Sequence, residues 1–396
     1  MTDFPDICAA AEALAGPAAL ATLVRVKGSS YRQPGARMLF GPEGLRAGVL
    51  SAGCLENDIL ARVQTVLDSR VPYLAGYDLG SELDLVWGTG MGCAGKADVL
   101  LERLDPGLPG WMARLRAMRD QRRTGALATV FASRGGGYPE PGTHILFDPQ
   151  GPADPDGAGQ QPAGMATGPT LSPYADAATQ RTKEGSASPF TEALAAAQAR
   201  VLATGRPEVF TLPAPDGERD VLVEPVLPVF ALWIYGAGEH ARPIARIAKE
   251  LGWFLGIVDH RPALATPERF PRADRIVVGH PPDALRGLPL DGRSAALVVS
   301  HVYVKDRQAL EALLPAPLGY LGLQGNRQRS QRLLRELGAA GPIPPDQLAR
   351  LHAPAGLDLG AESPEGIALS MLAEIQAALA GRPGGSLRDR DGAIHL

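Results

Sequence analysis

Residues 231–259 constrain this chain more than any other stretch. The apolar run ALWIY (231–235) ends at Gly236-Ala237-Gly238-Glu239-His240-Ala241, a GxGxxA pattern. A helical pattern follows, with Ile244, Ile247, Ala248 and Leu251 on one face, and Gly252 closes it. A second apolar run, Phe254 to Val258, leads to Asp259, 21 residues beyond Gly238. Strand, glycines, helix, strand and acid in this order make a dinucleotide-binding βαβ unit. Glycines let the backbone approach a pyrophosphate, and the helix N-terminus supplies N–H donors and positive dipole. Gly236, Gly238, Ala241 and Asp259 are the cofactor-binding candidates here, with Asp259 set to take a ribose hydroxyl. Arg261, beside it, leaves NAD against NADP open, and Glu239 is an awkward neighbour for a phosphate.

Apolar runs at Arg275–Val278, Ala295–Ser300 and Leu318–Leu323 alternate with helical segments Arg307–Leu314 and Gln328–Leu337. That alternation predicts a Rossmann-like, doubly wound parallel sheet over 229–396. His301 follows a strand C-terminus, where such sheets bind ligands, and is the best polar candidate there. In 356–381 a loop leads to a helix with Ser363 as N-cap, Pro364 at its first position and Gly381 as its stop.

The first half carries an internal repeat. Residues 19–44 and 126–151 match without a gap at 12 of 26 positions, each reading as strand, Gly-rich turn, strand. The match continues as a helix (Arg62 to Pro72 against Ala197 to Pro207) and a last strand (97–106 against 219–228). The second copy gains 28 residues before its helix, within 151–189, where 12 of 39 residues are Gly or Pro; this stretch is expected to be a disordered linker. It lacks 13 residues around VWGTGMGCAG (86–95), so the first copy alone keeps a Gly-rich loop with a cysteine. The expected organisation is a pseudo-symmetric α/β domain from 1–150 and 190–228, the linker 151–189, and the Rossmann-like domain 229–396.

Chemistry is expected in the first copy. Cys54, in SAGCLEND, stands at or just before a helix N-terminus that favours a thiolate, while Glu56 and Asp58 oppose it. A small buried cysteine, with Glu56 satisfying helix N–H groups, is the other reading. Cys93 lies in a loop that either wraps a ligand or simply turns tightly. Lys27, Arg32 and Arg37 beside Gly28, Ser29 and Ser30 offer an anion site or a solvated hairpin tip.

Composition excludes several classes. There are 39 basic and 43 acidic residues, a net charge of −4, against a general nucleic-acid binder. No run of about 18 apolar residues offers a membrane span, and the N-terminus lacks a basic n-region. Three cysteines (Cys8, Cys54, Cys93) make no disulfide framework and fit a reduced cytoplasm. Neither CxxC nor HExxH is present and the histidines are scattered along the sequence, so no protein-only metal site is expected. A Ser/His/Asp triad has no spacing support.

Together VRVKGSSYRQPGARM, SAGCLEND, WGTGMGCAG, GAGEHARPIARIAKELGW, VDHRPA, YLGLQGN and LHAPAGLDLGAESPEGIA resemble the XdhC/CoxI family, accessory proteins of molybdenum hydroxylases such as xanthine dehydrogenase. The resemblance covers nearly the whole chain outside 151–189. It implies a maturation factor rather than a turnover enzyme: a protein that binds and protects the molybdenum cofactor (molybdopterin or its cytosine dinucleotide), supports exchange of its oxo for a sulfido ligand, and helps insert it. The implied partners are the apo-hydroxylase and a cysteine desulfurase. Cys54 and Cys93 would face the molybdenum or its transferable sulfur, with Ser51, Gly53, Glu56 and Gly92 around them. The family usually has a second glycine where Ala52 stands, commonly GCGG where this chain has Gly92-Cys93-Ala94-Gly95, and often Thr/Ser-His-Asp/His where this chain has Ser300-His301-Val302. The alternatives are an NAD(P)-dependent oxidoreductase using the C-terminal crevice, and a scaffold that docks through it. The client hydroxylase and the form of the cofactor stay open, and a homodimer is compatible with the sequence.

Overall fold

The computed structural model describes residues 4–28, 32–41, 43–51, 55–78, 95–149 and 188–391. They divide into two compact units, Met1–Pro228 and Val229–Leu396.

In the first unit, α1 (Phe4–Glu12) precedes β1 (Ala18–Gly28), β2 (Arg37–Gly41), β3 (Gly44–Gly48), α2 (Glu56–Ser69), β4 (Tyr73–Asp78) and β5 (Gly95–Leu104). Helix α3 (Gly110–Asp120) joins these to β6 (Gly125–Arg134), β7 (His144–Phe147), α4 (Pro189–Thr204), β8 (Glu208–Ala214) and β9 (Gly217–Val226). The repeat seen in the sequence is a repeat of structure. One sheet runs β3-β2-β1-β5-β4 and the other β7-β6-β9-β8. Ala18 pairs with Leu104, and its counterpart Gly125 with Val226. Even the register shift recurs, between Leu23 and Arg25 in β1 and between Val130 and Ala132 in β6. The two helices end alike, on left-handed Arg70 and Gly205. Helix α4 starts at Pro189, with Ser188 accepting from the Thr191 N–H, so Pro189 is helix rather than linker. The rest of the expected linker, 151–187, lies outside the described residues.

Strand alternation makes four layers. One face of β1 and β6 turns inward: Leu20 and Leu127 share one core, Val24 and Phe131 another. The opposite faces carry the helices: Ala19, Ala21 and Leu23 pack on Ile59, Val63 and Val66 of α2, and Ala126, Ala128 and Val130 on Leu194 and Val201 of α4.

Two buried pairs cross between the halves at matching places. Arg37 of β2 binds Glu224 of β9 through both carboxylate oxygens, at 3.0 and 2.5 Å. Its counterpart His144 binds Glu102, the counterpart of Glu224, at 3.0 Å, and stacks on Trp111 with ring centroids 4.2 Å apart.

The second unit is a six-stranded parallel sheet, the fold its sequence predicts. Its strands are β10 (Ala231–Tyr235), β11 (Phe254–Asp259), β12 (Arg275–Val278), β13 (Ser294–Val298), β14 (Tyr320–Leu323) and β15 (Leu351–His352), in the order β12-β11-β10-β13-β14-β15. Strand β15, only two residues long, leaves no apolar run to read in the sequence. Leu232 and Ile234 face one core with α5 (Ala241–Glu250) and α10 (Pro364–Leu379). Trp233 and Tyr235 face the other, with α6 (Asp283–Arg286), α7 (Tyr303–Leu313) and α8 (Arg327–Ala340); a short helix, α9 (Pro345–Ala349), leads into β15. Ser363 caps α10, accepting from the Gly366 N–H at 3.1 Å. Between β10 and β13 the strand order reverses, which opens a crevice at their C-terminal ends.

Candidate functional site

Two regions hold the residues singled out in the sequence. In the first unit, Cys54, Gly53, Ser29, Ser30, Gly92 and Cys93 lie outside the described residues. Their anchors are described. Gly28, at φ 85°, pairs with Gly95 across β1 and β5. Ser51 and Glu56 bracket residues 52–54. The Ser51 N–H donates to Glu56 at 3.0 Å, its hydroxyl donates to the same carboxylate, and it accepts from the Leu55 N–H at 3.1 Å. Glu56 therefore ties Ser51 to the start of α2, with its carboxylate engaged rather than left as a bare charge. Asp58 is neutralised too: Arg62 reaches it at 2.7 Å and the Tyr77 hydroxyl at 2.8 Å. Its hydrogen bond from Arg62 holds the carboxyl below the usual carboxylate range.

Arg37 is not at a hairpin tip. It is 3% exposed, engaged by Glu224 and by the Gly35 carbonyl, so its charge serves the joint between the half-repeats instead of an incoming anion. The sequence held the clue: Glu102 and Glu224 occupy matching places, each directly after an apolar triplet, Val99–Leu101 or Val221–Val223.

In the second unit, Gly236 at φ 114° brings β10 against the loop after β13. A Cβ there would lie 2.5 Å from the Ser300 nitrogen, whereas one at Gly238 would meet open space. Ala241 opens helix α5 and is fully buried in its core. Asp259 is also fully buried. Its carboxylate accepts from the Ala237 N–H at 2.6 Å and from Arg261 at 2.8 and 2.9 Å. Burial alone would raise this carboxyl, but Arg261 and the two backbone N–H donors outweigh it and hold it below the usual range. Asp259 thus ties the glycine loop to β11. Glu239 is offset by Arg269 at 2.7 Å and Arg242 at 3.1 Å, which removes much of its objection to a nearby phosphate. Among the described residues, the N–H groups of Gly238, Glu239 and His240 make no hydrogen bond.

The histidines, scattered in the sequence, gather in space. His240, His260, His280 and His301 all follow strand C-termini, which a parallel sheet brings to one edge. The His240 and His301 rings lie 5.1 Å apart, and those of His260 and His280 5.2 Å. His301 is held at φ 60°, in the left-handed region, and burial and then the neighbouring His240 lower its pKa. Ser300 donates to the buried Asp306, which Arg329 also binds at 2.6 Å. Gln324, at the end of β14, was not singled out by its sequence; a lone amide after a strand carries no signal until its neighbours are known. No three or more His, Cys, Asp or Glu side chains converge as a metal site among the described residues.

A doubly wound sheet with a glycine loop at its switch point, in one chain with a duplicated α/β unit that frames a helix N-terminus, defines a two-part α/β protein with a nucleotide-type crevice. The model for the XdhC Rossmann domain matches residues 232–375, and that for the XdhC and CoxI family matches residues 12–78. The chain is 31% identical over 359 residues to a Bacillus subtilis (strain 168) protein described as a probable xanthine dehydrogenase component, covering 90% of this chain and 92% of that one. It is 36% identical over 154 residues to the uncharacterized protein YqeB of Escherichia coli (strain K12), covering 39% of this chain and 28% of that one. A crystal structure described as a xanthine dehydrogenase from Bacillus halodurans superposes with a TM-score of 0.70 at 26% identity, over 98% of both chains. The chain belongs to the XdhC/CoxI family.

Proposed function

We propose that this protein is a maturation factor for a molybdenum hydroxylase of the xanthine dehydrogenase type. In this reading it holds the molybdenum cofactor, protects it, supports its sulfuration and passes it to the apo-hydroxylase in the cytoplasm. A cysteine desulfurase supplies the sulfur. The observation that carries the reading is the near full-length likeness to a protein whose name ties it to xanthine dehydrogenase.

The residues present suit such a group. The cofactor, when bound, supplies the metal and its exchangeable terminal ligand. Cys54 and Cys93 offer soft sulfur donors toward the metal end. The Ser51–Glu56 lock supports this role by fixing the start of α2 while using the nearest carboxylate internally, which leaves the helix dipole to favour a thiolate. Gly28, Ser29, Ser30, Gly53 and Gly92 are small residues, the kind that would let a cofactor come close. Considered by itself, the second unit offers the N–H groups of Gly238, Glu239 and His240, which suit a phosphate group. The oxidoreductase alternative is weakened because Asp259, the ribose acceptor it would use, is already engaged by Arg261.

The test is anaerobic purification of the full chain from a host that makes the cofactor, with molybdenum and oxidised-pterin fluorescence measured per chain. The expected result is near-stoichiometric pterin, reduced in a Cys54→Ala/Cys93→Ala double variant. No pterin together with tight NAD(P)H binding would overturn the reading.

A further inference from the structure

A helix is steadied by acids in its first turn and bases in its last, because its N-terminus carries the positive end of the dipole. Helix α8 (Arg327–Ala340) is built the other way. Its first turn holds Arg327 and Arg329 and no acid, and its last turn holds no base. Along its length Arg327, Arg329, Arg332 and Arg335 stand against a single acid, Glu336. Arg329 is engaged by Asp306 and Arg332 by Glu336. Arg327 and Arg335 are exposed and make no ion pair or hydrogen bond among the described residues. On the other helices of the unit, exposed arginines are answered: Arg246 by Glu365 and Arg307 by Glu311.

This basic face is continuous with apolar surface. Tyr303, the first residue of α7, lies beneath Arg329 and Arg332, whose guanidinium carbons stand 5.6 and 5.1 Å from its ring centre. On either side of Tyr303, Val302 is 40% and Val304 55% exposed. Both helices begin at the C-terminal edge of the parallel sheet, so arginines and valines share one patch at the rim of the crevice. Arginine beside exposed apolar side chains suits a protein interface. A phosphate backbone would engage the arginines and leave the valines in water. A bilayer surface is anchored by larger apolar side chains than valine.

We infer that this patch, Arg327, Arg332 and Arg335 with Val302 and Val304, docks an acidic protein surface. The inference deepens the maturation reading and rests on it: the acidic surface is that of the apo-hydroxylase, seated beside the crevice. Arg327 and Arg335 meet its carboxylates, the valines meet its apolar side chains, and the long-range attraction speeds the encounter. Arginines placed against the helix dipole, with no carboxylate of the described residues to answer them, break a local rule of helix building, as functional surfaces do.

The test is surface plasmon resonance of the full chain on an immobilised, purified apo-hydroxylase of the xanthine dehydrogenase type. The variants are the double charge reversal Arg327→Glu/Arg335→Glu and, as a control on the opposite face of the sheet, Arg246→Glu. The double variant is expected to bind about tenfold more weakly, with a flatter dependence on salt, and the control to bind like the parent. The melting temperature of the double variant is expected to hold or rise, because Arg327→Glu suits the helix dipole, and its pterin content to stay unchanged. Unchanged affinity in the double variant, or equal weakening in the control, would overturn the inference and leave the maturation reading standing. So would arginine-dependent binding to duplex DNA or phosphatidylserine vesicles that is tighter than binding to the hydroxylase. No binding by the parent would overturn it as well, and the maturation reading falls with it only where the parent also lacks pterin.

Discussion

Replacing Arg37 by Ala is predicted to damage the fold of the first unit and to leave its chemistry otherwise untouched. The guanidinium is 3% exposed and Glu224 is 2% exposed, joined by two hydrogen bonds. Removing the cation strands a buried carboxylate, a loss of about 3–5 kcal/mol. For a unit of this size that lowers the melting temperature by roughly 6–20 °C. Replacing both partners with apolar residues, Arg37→Met with Glu224→Leu, removes the stranded charge and is predicted to recover most of the loss. Calorimetry of the three full-length proteins gives the temperatures, and pterin content gives the function. A single variant melting within about 1 °C of the parent would refute the architectural reading. So would a double variant that melts normally but loses its pterin, since Arg37 would then hold the cofactor after all.

Asp259→Asn is predicted to destabilise the second unit at neutral pH and to matter less in acid. The folded carboxyl titrates below its unfolded value of about 3.9, so its contribution is present above that pH and fades as pH falls through the lowered folded value. Urea midpoints at pH 7 and near pH 3 check this; an equal loss at both would contradict it. Gly236→Ala forces a side chain onto the Ser300 backbone in a left-handed conformation, a cost of about 1–3 kcal/mol or more. Gly238→Ala meets open space and is predicted to leave the melting temperature unchanged while weakening nucleotide binding. Ser51→Ala removes the acceptor for the Leu55 N–H and the donor to Glu56, a loss of about 1 kcal/mol; pterin retention is predicted to fall further than the melting temperature does.

The parallel sheet was legible because its evidence is local. The run 231–235, the glycines and the acid lie within thirty residues, and every strand of the sheet except β15 is a short apolar block. The duplication was legible because both copies keep the same turn residues, and the register shifts at Leu23 and Val130 repeat with them. Polar partnerships across long separations were not. Arg37 lies 187 residues from Glu224, and nothing in either segment alone shows that their strands meet. Asp259 has the spacing of a ribose acceptor, yet Arg261, two residues on, folds back onto it. His240 and His301 become neighbours only because β10 and β13 are adjacent and parallel.

The most direct test of the central claim is transfer. The chain, purified with its pterin, is incubated anaerobically with an apo form of a xanthine dehydrogenase-type hydroxylase, and hydroxylase activity and pterin are followed on both proteins. The account predicts that pterin leaves this chain, appears on the hydroxylase and restores activity in proportion. Pterin that stays bound while free cofactor activates the hydroxylase equally well without the chain would contradict it.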